Sequence, residues 1–182
     1  MVYDKVINGK FVSLRSITIE DTEFSYNIRA DVRNRDTVGQ LAPSIEAQRA
    51  YIEKQIATPD DYYFVVLNKN NERIGLIGVY DIHDGIGEVG REVNIGEPTE
   101  TMETTLLIDD FCKNVLNLKK LCYVIYANNK KNLSNAKKKK GNMVKKIIRS
   151  GVEAFYFEDD IDFVDERNIK IRKMIDRLAD RN

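Results

Sequence analysis

The sequence has little with which to build a metal centre or a disulfide framework. Its two cysteines, Cys112 and Cys122, lack metal-ligand spacing and fall inside a predicted helix and a predicted strand, where a thiol packs as a small apolar group. That usage fits a reducing cytoplasm. The single histidine, His83, stands beside Asp84 in a polar turn and reads as an exposed turn residue rather than a catalyst. No apolar run approaches the ~18 residues of a membrane span, and the opening MVYDKVINGK lacks the apolar core of a signal peptide. Basic and acidic residues balance at 29 each, so the molecule as a whole does not advertise a polyanionic partner. There is no internal repeat. These absences leave a cytoplasmic chain with no expected metal.

What is present suits one domain: 182 residues, of which 42% are hydrophobic, can bury a real core. The expected division is a main domain over 1–167 and, over 168–182, an amphipathic terminal helix or frayed tail carrying Ile171, Ile175 and Leu178. The spacing predicts a strand over 10–15, a helix opened by Thr18 or Asp21, and a second helix over 44–56 capped by Ser44, with Ile45, Tyr51, Ile52 and Ile56 as its buried stripe. Two apolar strands, 61–67 and 73–82, flank the turn Asn68-Lys69-Asn70-Asn71.

The informative stretch is 87–141. Alternation over 88–95 puts Val89, Val93 and Ile95 on one face and Glu88, Gly90 and Glu92 on the other. After Gly96-Glu97-Pro98, Thr99 or Thr101 can cap a helix whose apolar positions are Met102, Leu106, Phe111, Val115 and Leu118. A buried strand over 121–127 follows, then Asn128-Asn129 and a short lysine-rich helix. Candidate strands at 143–148 and 152–157 bend at Ser150-Gly151. Antiparallel strands followed by strand, helix, strand argue for a mixed α/β sheet.

In order and spacing, several of these pieces match a known pattern: Val12-Ser13-Leu14-Arg15 followed by Glu20-Asp21; Glu88-Val89-Gly90; Asn114 to Leu118; and Asn129, Ser134 and Gly141. The chain resembles the GNAT superfamily of acyl-CoA-dependent N-acetyltransferases, in the branch related to ribosomal-protein and amino-sugar acetyltransferases. The resemblance implies a single α/β (α+β) domain with a mostly antiparallel sheet, splayed between its fourth strand, 88–95, and its fifth, 121–127, and flanked by helices. It also implies acetyl-CoA as co-substrate, a small-molecule amine as acceptor, and a homodimer. The segment Arg29-Ala30-Asp31-Val32-Arg33-Asn34-Arg35-Asp36 resembles the acceptor-pocket segment of amino-sugar acetyltransferases without its tryptophan, and reads equally as a solvated loop.

Acetyl transfer needs a cradle for the CoA pyrophosphate, a base for the amine and a donor for the departing thiolate. The start of the helix after Pro98 is placed to offer free N–H groups and a positive dipole end, with Thr99, Thr101 and Thr104 as hydroxyl donors. The family's arginine and further glycines are missing there, and Glu97, Glu100 and Glu103 stand instead. Val93, Ile95, Asn129 and Ser134 complete the implied cofactor-binding set, although helix capping alone explains Asn129 and Ser134.

Glu88 is the proposed base, with Glu92 beside it; the alternatives are an exposed glutamate or a partner for Arg91 or Arg73. The family tyrosine is absent near Lys137; Tyr126 is taken as the candidate acid, only one of Tyr123 and Tyr126 can face the cleft, and core packing explains either one. Lysines 130, 131, 137–140, 145 and 146 read as a solvated face, a CoA-phosphate attractor or, least favoured without interleaved aromatics, an RNA contact, and the acids over 158–166 can neutralise them. Two rivals stay open: a GNAT fold that binds a metabolite or protein partner without catalysis, and a protein N-terminal acetyltransferase.

Overall fold

The computed structural model describes residues 1–34 and 41–181. The last two positions of the acceptor-pocket segment, Arg35 and Asp36, therefore lie outside the described residues. The described strands are β1 Ile7–Asn8, β2 Val12–Ser16, β3 Tyr62–Asn68, β4 Arg73–His83, β5 Ile86–Asn94, β6 Lys120–Tyr126, β7 Met143–Arg149 and β8 Val152–Asp160. The helices are α1 Thr22–Ala30, α2 Ile45–Ala57, α3 Pro98–Asn114, α4 Lys130–Lys138 and α5 Ile161–Ala179. The strands form one sheet in the order β1-β2-β3-β4-β5-β6-β8-β7, antiparallel except at β5–β6. The mixed α/β architecture expected from the sequence is present.

Parallel pairing of β5 with β6 stops after Ile86↔Lys120, Gly87↔Leu121 and Glu88↔Cys122. Beyond Glu88 the two strands part, while β6 goes on pairing with β8 as far as Tyr126↔Ala154. This splay is the opening between the two halves of the sheet.

Each face of the sheet carries its own core. One is organised on Phe111 of α3, whose ring meets Tyr3, Tyr62 and Phe64 edge-on at 4.9, 5.3 and 5.2 Å, with Val12, Val79, Ile108 and Val164 packed around it. The other lies under α1 and α2 and gathers Ile17, Ile28, Ile52, Tyr63, Val65, Leu76 and Val93. Burying each such side chain contributes about 1.5–3 kcal/mol.

Local expectations held unevenly. Ser44 caps α2, accepting from Ala47 N at 3.2 Å. Its buried stripe differs from the periodic one: Ile45 and Tyr51 are exposed, whereas Gln48 and Gln55 are buried. Their amide nitrogens have partners, Gln48 Nε2 donating to Ser25 Oγ at 2.8 Å and Gln55 Nε2 to the Asp61 carbonyl at 2.6 Å, which offsets the cost of burying those donors, whereas Gln55 Oε1 is buried without a partner among the described residues. The terminal helix begins at Ile161, before the division expected at 167/168, and takes in Phe163 and Val164. Bidentate pairing of Arg172 with Asp110 at 2.5 and 2.6 Å fastens it to α3.

Candidate active site at the splayed strands

The β4–β5 ladder runs Tyr80↔Glu88, Val79↔Val89 and Gly78↔Gly90, then shifts to Leu76↔Val93. One extra residue is accommodated on β5, and Arg91 takes the strain at φ 55°. The shift reverses the alternation beyond it. Val93 joins the Glu88 face and packs under α1 and α2, while Glu92 turns to the opposite face, toward α3 and α4. The expectation that Glu88 and Glu92 share a face is therefore corrected, and the cause is this bulge.

Arg91 is held where it bends the strand. Its guanidinium pairs with both oxygens of Asp61, with Nη2 to Oδ2 at 2.8 Å, and lies over the Tyr80 ring at 3.9 Å. Tyr51 and Tyr63 flank it at 5.6 and 5.4 Å.

Glu88 is the last residue of β5 to pair with β6, so it sits at the vertex of the splay. It is 8% exposed. Tyr80 donates its hydroxyl to Glu88 Oε1 at 2.6 Å, and Arg149 Nη1 donates to the same oxygen at 2.5 Å. Its partner is thus Arg149 rather than Arg91 or Arg73. Burial and the charge of Glu88 both push the Tyr80 phenol far up, which keeps its proton in place as a fixed donor. Glu88 Oε2 has no hydrogen-bond donor among the described residues.

Pairing with Glu88 places Cys122, and by alternation Val124 and Tyr126, on this same face. Tyr126 is half-buried and lies within the electrostatic field of Arg149. Tyr123 faces the other way, stacking on Phe157 at 5.0 Å and donating its hydroxyl to Asp159 Oδ2 at 3.2 Å. Glu92, across the sheet, is open to solvent at its surface yet crowded by protein; that burial raises its pKa, Lys139 and Lys131 oppose the rise, and Asp109 adds to it.

A family model described as "Acetyltransferase (GNAT) domain" matches residues 12–138, more than half of the chain. The chain is a member of the GNAT acetyltransferase family. No curated protein sequence matches it significantly. Solved structures similar to it include a GCN5-related N-acetyltransferase from Brucella melitensis, with a TM-score of 0.79, 12% identity, and 95% of this chain and 86% of that one covered. Apo FdhC, a nucleotide-linked sugar GNAT, matches with a TM-score of 0.77, 18% identity and coverage of 95% and 99%. A chimeric spermidine N-acetyltransferase SpeG from Vibrio cholerae matches with a TM-score of 0.71, 16% identity and coverage of 84% and 98%. At these identities the likeness concerns the fold.

The remaining positions of this GNAT chain divide into available and engaged groups. Val93 buries its side chain, so only its backbone borders the splay; Ile95 is exposed and its N donates to the Ile74 carbonyl at 2.9 Å. Glu97, rather than Thr99 or Thr101, caps α3. Its N donates to Glu100 Oε2 at 2.8 Å, and Gly96 N donates to Asn94 Oδ1 at 2.8 Å, so acidic and amide side chains of the chain itself already take these amides. Thr104 is fully buried and donates to the Glu100 carbonyl at 2.8 Å, whereas Thr99 and Thr101 stay half-buried on the first turn. Asn129 caps α4, accepting from Asn132 N at 3.0 Å, and Ser134 is exposed on that helix.

Glu103 does not face the helix start at all. It is buried and accepts from Lys10, Phe11 and Val12 N at 2.7, 2.6 and 2.9 Å, tying α3 to the β1–β2 turn. His83 is exposed at the end of β4, with Nδ1 2.7 Å from the Asp81 carbonyl. The lysines at 130, 131 and 137–140 are exposed; of the acids over 158–166, Glu158 pairs with Lys120 at 2.8 Å and also feels the charge of Lys145, and Asp165 pairs with Lys113 at 2.8 Å. Lys146 has an acidic partner of its own, Glu153 at 3.8 Å. Among the described residues no three His, Cys, Asp or Glu side chains gather to hold a metal, and no helix is long and apolar enough to cross a membrane.

Sequence reasoning missed Tyr80 and Arg149. Tyr80 hides in an apolar strand, and Arg149 ends a basic one; neither carries a local signal for the contact it makes at Glu88.

Proposed function

We propose that the chain transfers an acetyl group from acetyl-CoA to the primary amine of a small polar acceptor, of which an amino-sugar nucleotide is the favoured class. The observation that carries this reading is the half-satisfied carboxylate at the vertex of the splay. Glu88 Oε1 is held by Tyr80 and Arg149, while Oε2 is left to an incoming group.

The chain fits acetyl-CoA in part. Beyond Glu88 the β6 side of β5 has no strand paired to it, and its backbone groups can receive the pantetheine arm. In this reading Thr99 and Thr101 of α3 and Asn129 and Ser134 of α4 contact the cofactor, and Lys131 and Lys139, whose charges Glu92 feels, serve as cations for the phosphates. Bound there, acetyl-CoA supplies a thioester-activated acetyl carbon. Glu88 orients the amine and takes at Oε2 the proton that the nitrogen gives up on forming its new C–N bond. Tyr126, on the same face, is the proposed proton donor to the sulfur. Glu92, on the other face, has no part in that transfer.

The similar structures, a nucleotide-linked sugar GNAT and a spermidine N-acetyltransferase, favour small amines over a protein N-terminus. A cytoplasmic location and a homodimer belong to the same proposal. A second reading, a GNAT fold that binds without catalysis, is favoured by one feature: Glu100 already fills the helix start where a pyrophosphate would sit. Calorimetric titration with acetyl-CoA and with CoA at two salt concentrations, followed by turnover on a panel of amines, separates the two. Saturable binding with turnover that Glu88→Gln abolishes supports catalysis; no binding at millimolar cofactor sinks it.

A further inference from the structure

Among the described residues five arginines make carboxylate pairs of 2.8 Å or less, and four are forks. Arg15 meets Asp21 through two bonds of 2.7 Å, Arg33 meets Asp31 through two of 2.8 Å, Arg172 meets Asp110 through two of 2.5 and 2.6 Å, and Arg91 meets both oxygens of Asp61. These forks are the geometry expected of structural clamps. Arg149 is different. It reaches Glu88 end-on through Nη1 alone, at an oxygen already shared with Tyr80. Its Nε and Nη2 have no acceptor among the described residues, and its side chain is 34% exposed.

The position is as unusual as the geometry. Arg149 ends β7, on the far half of the sheet, and the tight Ser150-Gly151 turn, with φ 51° and 77°, brings it round beside β8. From there it crosses the splay to Glu88, on the face that also carries Tyr126.

We propose that Arg149 is the specificity residue of the acceptor site, holding a carboxylate or phosphate of the acceptor on its unused guanidinium N–H groups while Glu88 Oε2 receives the acceptor amine. This rests on the acetyltransferase reading above. The pair Glu88 and Arg149 is neutral, and an acceptor bearing one cation and one anion can lie between them without leaving any of the four charges alone. A neutral-bodied amine satisfies Glu88 but leaves the fork of Arg149 unfilled. Selectivity then follows from unequal hydrogen bonding to a preformed site.

The test uses matched amines, ethanolamine against phosphoethanolamine and propylamine against 3-aminopropanoate, with acetyl-CoA and the full chain. The unsubstituted protein is expected to prefer the anionic member of each pair by about 10-fold or more in kcat/KM, the scale of hydrogen bonds to a charged group. Arg149→Met is expected to erase that preference by raising KM for the anionic acceptor, with KM for acetyl-CoA unchanged; Arg149→Lys keeps part of it. A preference for phosphate over carboxylate, or the reverse, identifies the anion. Equal rates on both members, or an equal loss on both in Arg149→Met, overturns the proposal and leaves Arg149 as a support for Glu88. If no amine turns over, calorimetric titration of phosphoethanolamine decides separately: binding to the unsubstituted protein that Arg149→Met loses, with Arg149→Lys as a folded control, upholds the anion site while the acetyltransferase reading fails. No binding overturns both.

Discussion

Glu103 and Glu88 are both buried glutamates, yet their surroundings put them to opposite uses. At the junction of α3 with the β1–β2 turn, Glu103 has both oxygens occupied by three backbone N–H groups at 2.6–2.9 Å. At the splay, Glu88 has one oxygen doubly engaged, by a phenol and a guanidinium from two other strands, and the other open. A carboxylate saturated by backbone amides can only hold the chain together. One that is half-satisfied can accept a ligand, because its remaining lone pairs have somewhere better to be.

The largest expected effect separates the two by activity. Glu88→Gln should lower kcat/KM about 10²- to 10⁴-fold, the usual contribution of a positioned proton acceptor, while stability falls by only about 1–2 kcal/mol as the bonds from Tyr80 and Arg149 lose their charge assistance. A fall in activity matched by an equal fall in stability would erase the contrast.

Glu103→Gln is expected to do the reverse, lowering stability by about 2–4 kcal/mol through loss of charge-assisted bonds to buried amides. Activity of the fraction still folded should be retained; urea unfolding beside a rate assay at low temperature reads both.

A third acid sharpens the comparison, since Asp109 is buried with only a neutral donor in direct contact, Asn168 Nδ2 at 2.8 Å. Burial pushes its carboxyl up to about 6, against the pull of Asn168, Arg167 and Lys139. With an unfolded value near 3.9, the folded chain binds this proton more tightly, so the contribution is full below about pH 4 and is lost as pH rises through about 6. The expected loss is about 2–3 kcal/mol, and Asp109→Asn should remove it from the difference between unfolding curves at pH 4 and pH 7. An Asp109→Asn protein with unchanged pH dependence would remove Asp109 from the account.

The smallest effects lie on α4. Asn129→Ala should cost about 1 kcal/mol as a lost cap, and Ser134→Ala, at an exposed position, less than about 0.5 kcal/mol. A raised KM for acetyl-CoA in Ser134→Ala, with stability unchanged, would mark that serine as a cofactor contact; no change in KM would remove it from the proposed channel.

Much of this arrangement was readable before the structure. The strands and the 68–71 hairpin followed from alternation and turn chemistry, Ser150-Gly151 was legible as a bend, and Glu88 stood out by its resemblance to the family's Glu-x-Gly pattern. Ser44 and Asn129 were recognisable as caps because a cap needs only a short polar side chain and its near neighbours. The same reasoning failed at α2, where Gln48 and Gln55 displaced Ile45 and Tyr51 from the interior. Their partners, Ser25 and the Asp61 carbonyl, come from other segments, and no window on α2 contains them.

By itself, then, the sequence determined what depends on neighbours along the chain: the caps of α2 and α4, the turns and the family pattern from Val12 to Gly141. The tertiary structure alone decided which face each acid occupies and what it meets there. A single bulge at Arg91, held by Asp61 and three tyrosines, sends Glu92 away from Glu88, and a hairpin from the far half of the sheet delivers Arg149 in its place. Strand alternation has a period of two, so one inserted residue reverses every side chain beyond it, and no local composition signals where that residue will be taken up.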